Sequence, residues 1–220
     1  MRSTVQRGLR HKTSETTHKG MARAEAILDT ARALFATQGY SRLSMRGVAA
    51  RAGITLGTVQ HYYRSREELF EAMLLHTLQD LQAQADRMAG AEAGATPARQ
   101  FEEAMRYFTR VIRSPMGQGT FTELKALSLR APFAAEVMER IFTRARKSIG
   151  RRIKALDPGV SSQDLNLRSA LVLAQLMGLT YFDAGSQRRR HADLAGIEEA
   201  TLDLTLAVAL GRCPGRGPTG

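Results

Sequence analysis

The sequence predicts an all-α protein of about nine helices, and three observations carry that expectation. Apolar residues recur at three- and four-residue spacing in segment after segment. No stretch alternates apolar and polar residues with the period of a strand. Glycines, prolines and Ser/Thr caps punctuate the chain at helix-length intervals.

Composition sets the outer bounds. The 220 residues are 43% hydrophobic and 24% charged, ordinary for a globular protein and unlike a disordered chain, a collagen or a disulfide miniprotein. One cysteine, Cys213, permits neither an intrachain disulfide nor a thiolate metal cage. The formal net charge is +11, and residues 1–66 hold 12 Lys+Arg against 3 Asp+Glu, so most of the excess lies in the first third of the chain. Such a front end favours a polyanionic partner, nucleic acid or a membrane surface. The greasiest stretch, Ala170 to Tyr181, is interrupted by Gln175, Gly178 and Thr180, so no transmembrane helix and no membrane partner are expected. The first ten residues are polar and lack the apolar core of a signal peptide, which with a free thiol leads to the expectation of a cytoplasmic protein.

Residues 1–20, with Arg2, Arg7, Arg10, Lys12 and Lys19 against Glu15, read as a disordered basic arm, either a solubilising tail or a strand of charge that lies along phosphates or enters a minor groove. Ala24, Ile27, Ala31, Leu34 and Phe35 then form one stripe of a helix over about 22–38, ended by Gly39 in a left-handed conformation. Ser44 is placed to cap a second short helix whose apolar face is Val48, Ala49 and Ala52. Gly53 breaks it, Ile54 plugs the turn, and Thr55 caps a third helix running to about Tyr63. Two short helices joined by a glycine turn, with alanines where they must approach closely, describe a helix-turn-helix. Ser65 and Glu68 are spaced as a capping box that opens a long fourth helix bearing Leu69, Met73, Leu74, Leu78 and Leu81.

After a loop at 90–96, Pro97 opens helix five with Phe101, Met105, Phe108 and Ile112 on one face. Residues 114–117 read as a break, helix six as about 118–129, and helix seven as Pro132 to about Leu156 with a basic second half read as a solvated face. Helix eight, about 162–185, is apolar on two sides, through Leu165, Val172, Leu176 and Leu179 and through Leu167, Leu171, Ala174 and Phe182. Helix nine, about 196–210, repeats this through Ile197, Leu204 and Val208 and through Leu202 and Leu206. A helix apolar on two sides needs two partners, and a homodimer through helices eight and nine supplies the second. The tail, 212–220, is rich in Gly and Pro and reads as disordered.

The stretch Ile27 to Phe70 resembles the TetR/AcrR family of bacterial transcriptional regulators. The resemblance is carried by Ile27-Leu28, Ala31, Leu34-Phe35 and Gly39-Tyr40, by Ser44 through Ala49, by Ala52-Gly53-Ile54 and Gly57-Thr58-Val59, and by His61-Tyr62-Tyr63 and Ser65 through Leu69. It implies a three-helix DNA-binding domain, 21–66, followed by a helical effector-binding and dimerisation domain, 67–211. It also implies a repressor on double-stranded DNA, released from a palindromic operator by a small-molecule effector. The third helix would enter the major groove. Thr58 and Gln60 are the candidates for base edges, Leu56 for a thymine methyl, and Gly57 for a close backbone approach. Ser44, Arg46, Thr55, His61, Tyr62 and Arg66 match positions that meet phosphates in the family, while Tyr63 is read as core. Gln60 departs from the pattern, because the family usually carries an aromatic residue there, and Gln can donate and accept at an adenine edge.

The effector would lie among helices four to eight. Met105, Phe108, Phe121, Met138 and Tyr181 are its candidate lining, equally accounted for as core, and an apolar or aromatic molecule is favoured. No phosphate-binding glycine loop, nucleophile elbow or Cys–His pairing is present, so no catalytic residue and no cofactor are expected. His61 has no ligand partner at metal-binding spacing, so no metal is expected. The rival reading is an architectural protein that binds DNA without sequence preference.

Overall fold

The computed structural model describes residues 18–91, 94–182 and 195–212, and among these it contains nine α-helices and no strand. The predicted all-α class is the one adopted. In chain order the helices are α1 (His18–Arg42), α2 (Met45–Arg51), α3 (Leu56–Tyr62), α4 (Arg66–Ala89), α5 (Pro97–Ile112), α6 (Pro115–Ser128), α7 (Pro132–Leu156), α8 (Ser162–Gly178) and α9 (Ile197–Ala209). A 3-10 turn, Leu179–Phe182, follows α8. Most of the expected basic arm, the end expected for helix eight near 185, Cys213 and the rest of the tail lie outside the described residues. The chain divides into two compact units, one formed by the residues up to Asp80 with Gly119–Ile141, the other by Leu81–Gln118 with the residues from Phe142 onward.

In the first unit, Ala24, Ile27, Ala31, Leu34 and Phe35 are buried, the stripe read from the spacing, with Leu28 beside it. Gly39 has φ 72 and ψ 178, a positive φ as expected but an extended ψ rather than the left-handed helical one. The chain resumes for one more helical turn to Arg42, and Leu43 is fully buried. The cores of α2 and α3 are Val48, Ala49, Val59 and Tyr63, whereas Ile54 and Ala52 are only half-buried. Ser65 accepts the Glu68 N–H at 3.1 Å, the first half of the capping box. The Glu68 carboxylate reaches one residue further than the motif implies, taking the Arg64 N–H at 2.8 Å. The centre of this unit is Phe70 on α4, 5.2 Å from the Phe35 ring and 4.7 Å edge-on from Tyr40. Leu69, Met73, Leu74 and Leu75 are buried around it, with Leu124 of α6 and Ala134, Val137, Met138 and Ile141 of α7 completing the core. Leu78 and Leu81, expected on the buried face of α4, are half-buried. An Arg140 to Glu71 ion pair at 2.8 Å joins α7 to α4.

In the second unit, Thr96 caps α5 and Pro97 occupies its first turn, where a missing N–H costs nothing. Phe101, Ala104, Met105, Thr109 and Ile112 are buried, while Phe108 is half-buried. The break falls at Arg113–Ser114, and α6 begins at Pro115 rather than near 118, because a proline that ends one helix is equally suited to start the next. The basic half of α7 is not uniformly solvated. Arg152 is turned in, its guanidinium bound to the Ser148 hydroxyl and to Asp86 and lying 5.7 Å over the Phe108 ring. Burial lowers its pKa against the raising effect of Asp86. Helices α8 and α9 pack on each other and on α5. Arg168, near the start of α8, binds Asp157, Asp164 and the Ala209 carbonyl at the end of α9. Arg106 and Arg113 of α5 pair with Glu199 and Glu198 of α9.

The two-sided character of α8 separates as expected. Val172, Leu176 and Leu179 are buried, and Leu167 and Leu171 are exposed large apolar residues. On α9 the division differs from the expectation, since Leu202 and Val208 share the buried face and Leu204 is exposed. Phe70→Ala is expected to cost about 3–5 kcal/mol, because a fully buried ring is replaced by a cavity. A urea titration will show it as a lower midpoint at an unchanged slope.

Candidate nucleic-acid interface

The first unit presents a short helix whose two sides differ. On α3, Val59 is buried, as is Tyr63 at its C-cap, while Gly57, Gln60 and His61 are exposed. The Tyr63 hydroxyl lies 3.4 Å from the Ala24 carbonyl of α1, and burial pushes its phenol pKa up. Tyr62 is half-buried with its ring edge-on to His61, 5.2 Å away. Leu56 and Thr58 are half-buried.

The hydroxyls on this surface also hold the helix ends. Ser44 Oγ accepts the Gly47 N–H at 3.1 Å, capping α2. Thr55 Oγ1 accepts the Thr58 N–H at 3.1 Å, capping α3, and sits 2.9 Å from Thr58 Oγ1. A hydroxyl that accepts from an amide still has a proton to donate. Gly53 joins the two helices at φ 64, a conformation that favours glycine, and the Ile54 N–H returns to the Ala49 carbonyl at 3.0 Å.

Charge is concentrated here. From Arg42 to Arg66 the sequence holds five arginines and no Asp or Glu. Arg42, Arg46, Arg51 and Arg64 are exposed. Sequence reasoning singled out only Arg46 among these four; the other three were signalled by net charge alone. Arg66 is different, since its guanidinium stacks 4.4 Å over the Tyr40 ring and its Nε lies 3.7 Å from Glu67. The Glu67 carboxyl is held below its ordinary value, chiefly by a hydrogen bond to its own backbone.

The candidate effector residues are distributed over both units. Met105 is fully buried and Phe108 half-buried in the second; Met138 is buried and Phe121 half-buried in the first. The Tyr181 side chain lies outside the described residues. Among the described residues, no group of three His, Cys, Asp or Glu could hold a metal ion. Among them, too, no helix is long and apolar enough to cross a membrane.

Residues 27–73 match the family model described as bacterial regulatory proteins of the tetR family. The HTH-type transcriptional repressor Rv3405c of Mycobacterium tuberculosis is 30% identical over 160 residues, which cover 70% of this chain and 80% of that protein. The chain belongs to the TetR family. It is also similar to the HTH-type transcriptional repressor KstR of M. tuberculosis, 26% identical over 140 residues, an alignment that spans 56% of KstR. A TetR-family regulator from Mesorhizobium loti shares the fold, with a TM-score of 0.66 at 20% identity over 87% of this chain and 98% of that one. As a TetR-family member the chain is a DNA-binding transcriptional regulator, and the exposed side of α3 with its surrounding arginines is the candidate surface.

Replacing Thr55 by Ala removes the α3 cap, at an expected cost of about 1 kcal/mol. Amide hydrogen exchange will show it as faster exchange in α3 with α5 and α9 unchanged.

Proposed function

We propose that the chain is a cytoplasmic, homodimeric repressor. It binds a palindromic operator with residues 21–66 and leaves it when a small molecule enters the helical domain, residues 67–211. The observation that carries this reading is the exposed, arginine-rich segment without a single carboxylate from Arg42 to Arg66, set around a helix whose outer side bears Gly57 and Gln60. Thr58 and Gln60 read base edges, with Gln60 suited to adenine, Leu56 meets a thymine methyl, and Gly57 lets the backbone approach. Ser44, Arg46, Thr55, His61, Tyr62 and Arg66 bind phosphates. In the free chain Arg66 is already stacked on Tyr40, so it contributes only from that position or by leaving it.

Dimerisation through α8 and α9 uses Leu167, Leu171 and Leu204, large apolar residues otherwise exposed to water. The effector residues are drawn from Met105, Phe108 and Tyr181 in the second unit and from Phe121 and Met138 in the first, which suits an apolar or aromatic molecule. Effector and operator are then coupled reciprocally, each weakening the other by the same factor.

The test is a titration of the full chain against its own upstream DNA and a scrambled duplex at two salt concentrations. The operator reading requires a clear preference for the first, and equal binding to both would favour an architectural protein. Arg46→Ala is expected to weaken binding to both duplexes and to lower the salt slope by about one. Gln60→Ala is expected to cost about 1–3 kcal/mol on the upstream duplex and nothing on the scrambled one, measured by the same titration.

A further inference from the structure

We propose that Glu123 of α6 is a positioning residue for the DNA-reading helices. Its carboxylate holds the backbone at the joint where α1 hands over to the helix-turn-helix. The inference rests on the operator-binding reading above and deepens it by naming what fixes α2 and α3 in place.

The joint is Gly39–Tyr40. Gly39 interrupts the helix with φ 72 and ψ 178, and Tyr40 is buried. The Tyr40 N–H donates to Glu123 Oε1, a residue 83 positions away in sequence. The bond is part-buried, where a backbone N–H that loses its partner carries a free-energy cost. The glycine serves the contact twice. It adopts the backbone conformation, and a Cβ there would stand 2.8 Å from Glu123 Oε1 and 2.9 Å from Oε2, in the space the carboxylate occupies.

From Tyr40 the connection to the reading surface is short. The Leu43 N–H donates to the Tyr40 carbonyl at 3.1 Å, Leu43 is fully buried, and the next residue, Ser44, caps α2. The Tyr40 ring is fixed against Phe70 at 4.7 Å and Phe133 at 5.8 Å, and it carries the Arg66 guanidinium at 4.4 Å. One residue thus ties α6, α7, the start of α4 and the start of α2 to a common point. Withdrawing the carboxylate leaves the Tyr40 N–H unpaired and frees the Leu43–Ser44 step.

The test compares wild-type chain with Glu123→Ala and Glu123→Gln by amide hydrogen exchange and by the two-duplex titration. Glutamine keeps an acceptor; alanine does not. The expected result is a Tyr40 amide protected in the wild type and in Glu123→Gln and released in Glu123→Ala, with faster exchange in α2 and α3 and no change in α5 and α9. The preference of Glu123→Ala for the upstream duplex should fall about tenfold, with scrambled binding unchanged, and Glu123→Gln should recover most of it. The proposal is overturned by an unprotected Tyr40 amide in the wild type, by acceleration spread evenly over all helices, or by a wild-type preference in Glu123→Ala. Should Glu123→Ala fail to fold, Glu123→Asp, whose reach is one methylene shorter, is read in the same two ways. A wild-type chain without duplex preference defeats the operator reading alone, and the exchange measurements then decide the role of Glu123.

Discussion

A seven-residue helix does not persist by itself in water. Everything the first unit offers to a partner therefore depends on the burial of Val59 on the inner side of α3 and of Tyr63 at its C-cap. Those two residues, four apart, leave Gly57, Gln60 and His61 on the outside by helical geometry alone. Val59 is closed off completely, and Tyr63 reaches as far as the α1 backbone. The direction in which α3 faces is thus a packing result, settled before any ligand arrives.

The same economy appears at the helix ends. Ser44, Thr55 and Thr58 tie down the first turns of α2 and α3 while remaining near the surface. Removing the Ser44 or Thr55 hydroxyl removes a helix cap, so any effect of such a substitution on binding is tied to its effect on folding. Gln60 and the exposed arginines have no such double duty, which makes them the cleaner probes of recognition. In the second unit, charged side chains do comparable work at a different place. Arg106, Arg113 and Arg168 tether α9 by its acidic first turn and by its Ala209 carbonyl, and Glu199 is held below its ordinary carboxylate range by the Arg106 hydrogen bond.

What could be read from the sequence was what is encoded locally. The α1 stripe, the Ser44 and Thr55 caps and the inward Tyr63 all follow from residues within a turn or two of one another. The misses arose where distant residues decide. Nothing in the spacing singles out Phe70 on α4, yet Phe35 and Tyr40 make it central. Glu123 and Tyr40 share no sequence signal. Arg66 reads as a free cation until its stacking on Tyr40 is known. Pro115 reads as a helix break but begins a helix, and Leu204 shares a sequence face with Val208 although the packing of α9 on two neighbours separates them. For the candidate surface, residue types and spacing were visible, but the separation of α3 into a buried and an open side needed the partners of Val59 and Tyr63.

The stretch without carboxylates has a consequence for how this protein finds its place on a chromosome. A run of arginines with no carboxylate among them attracts any duplex by displacing its condensed ions, whatever the base sequence. Such a head adheres loosely almost anywhere and diffuses along the contour instead of returning to bulk solvent after each failed encounter. Search time is then governed by ionic strength.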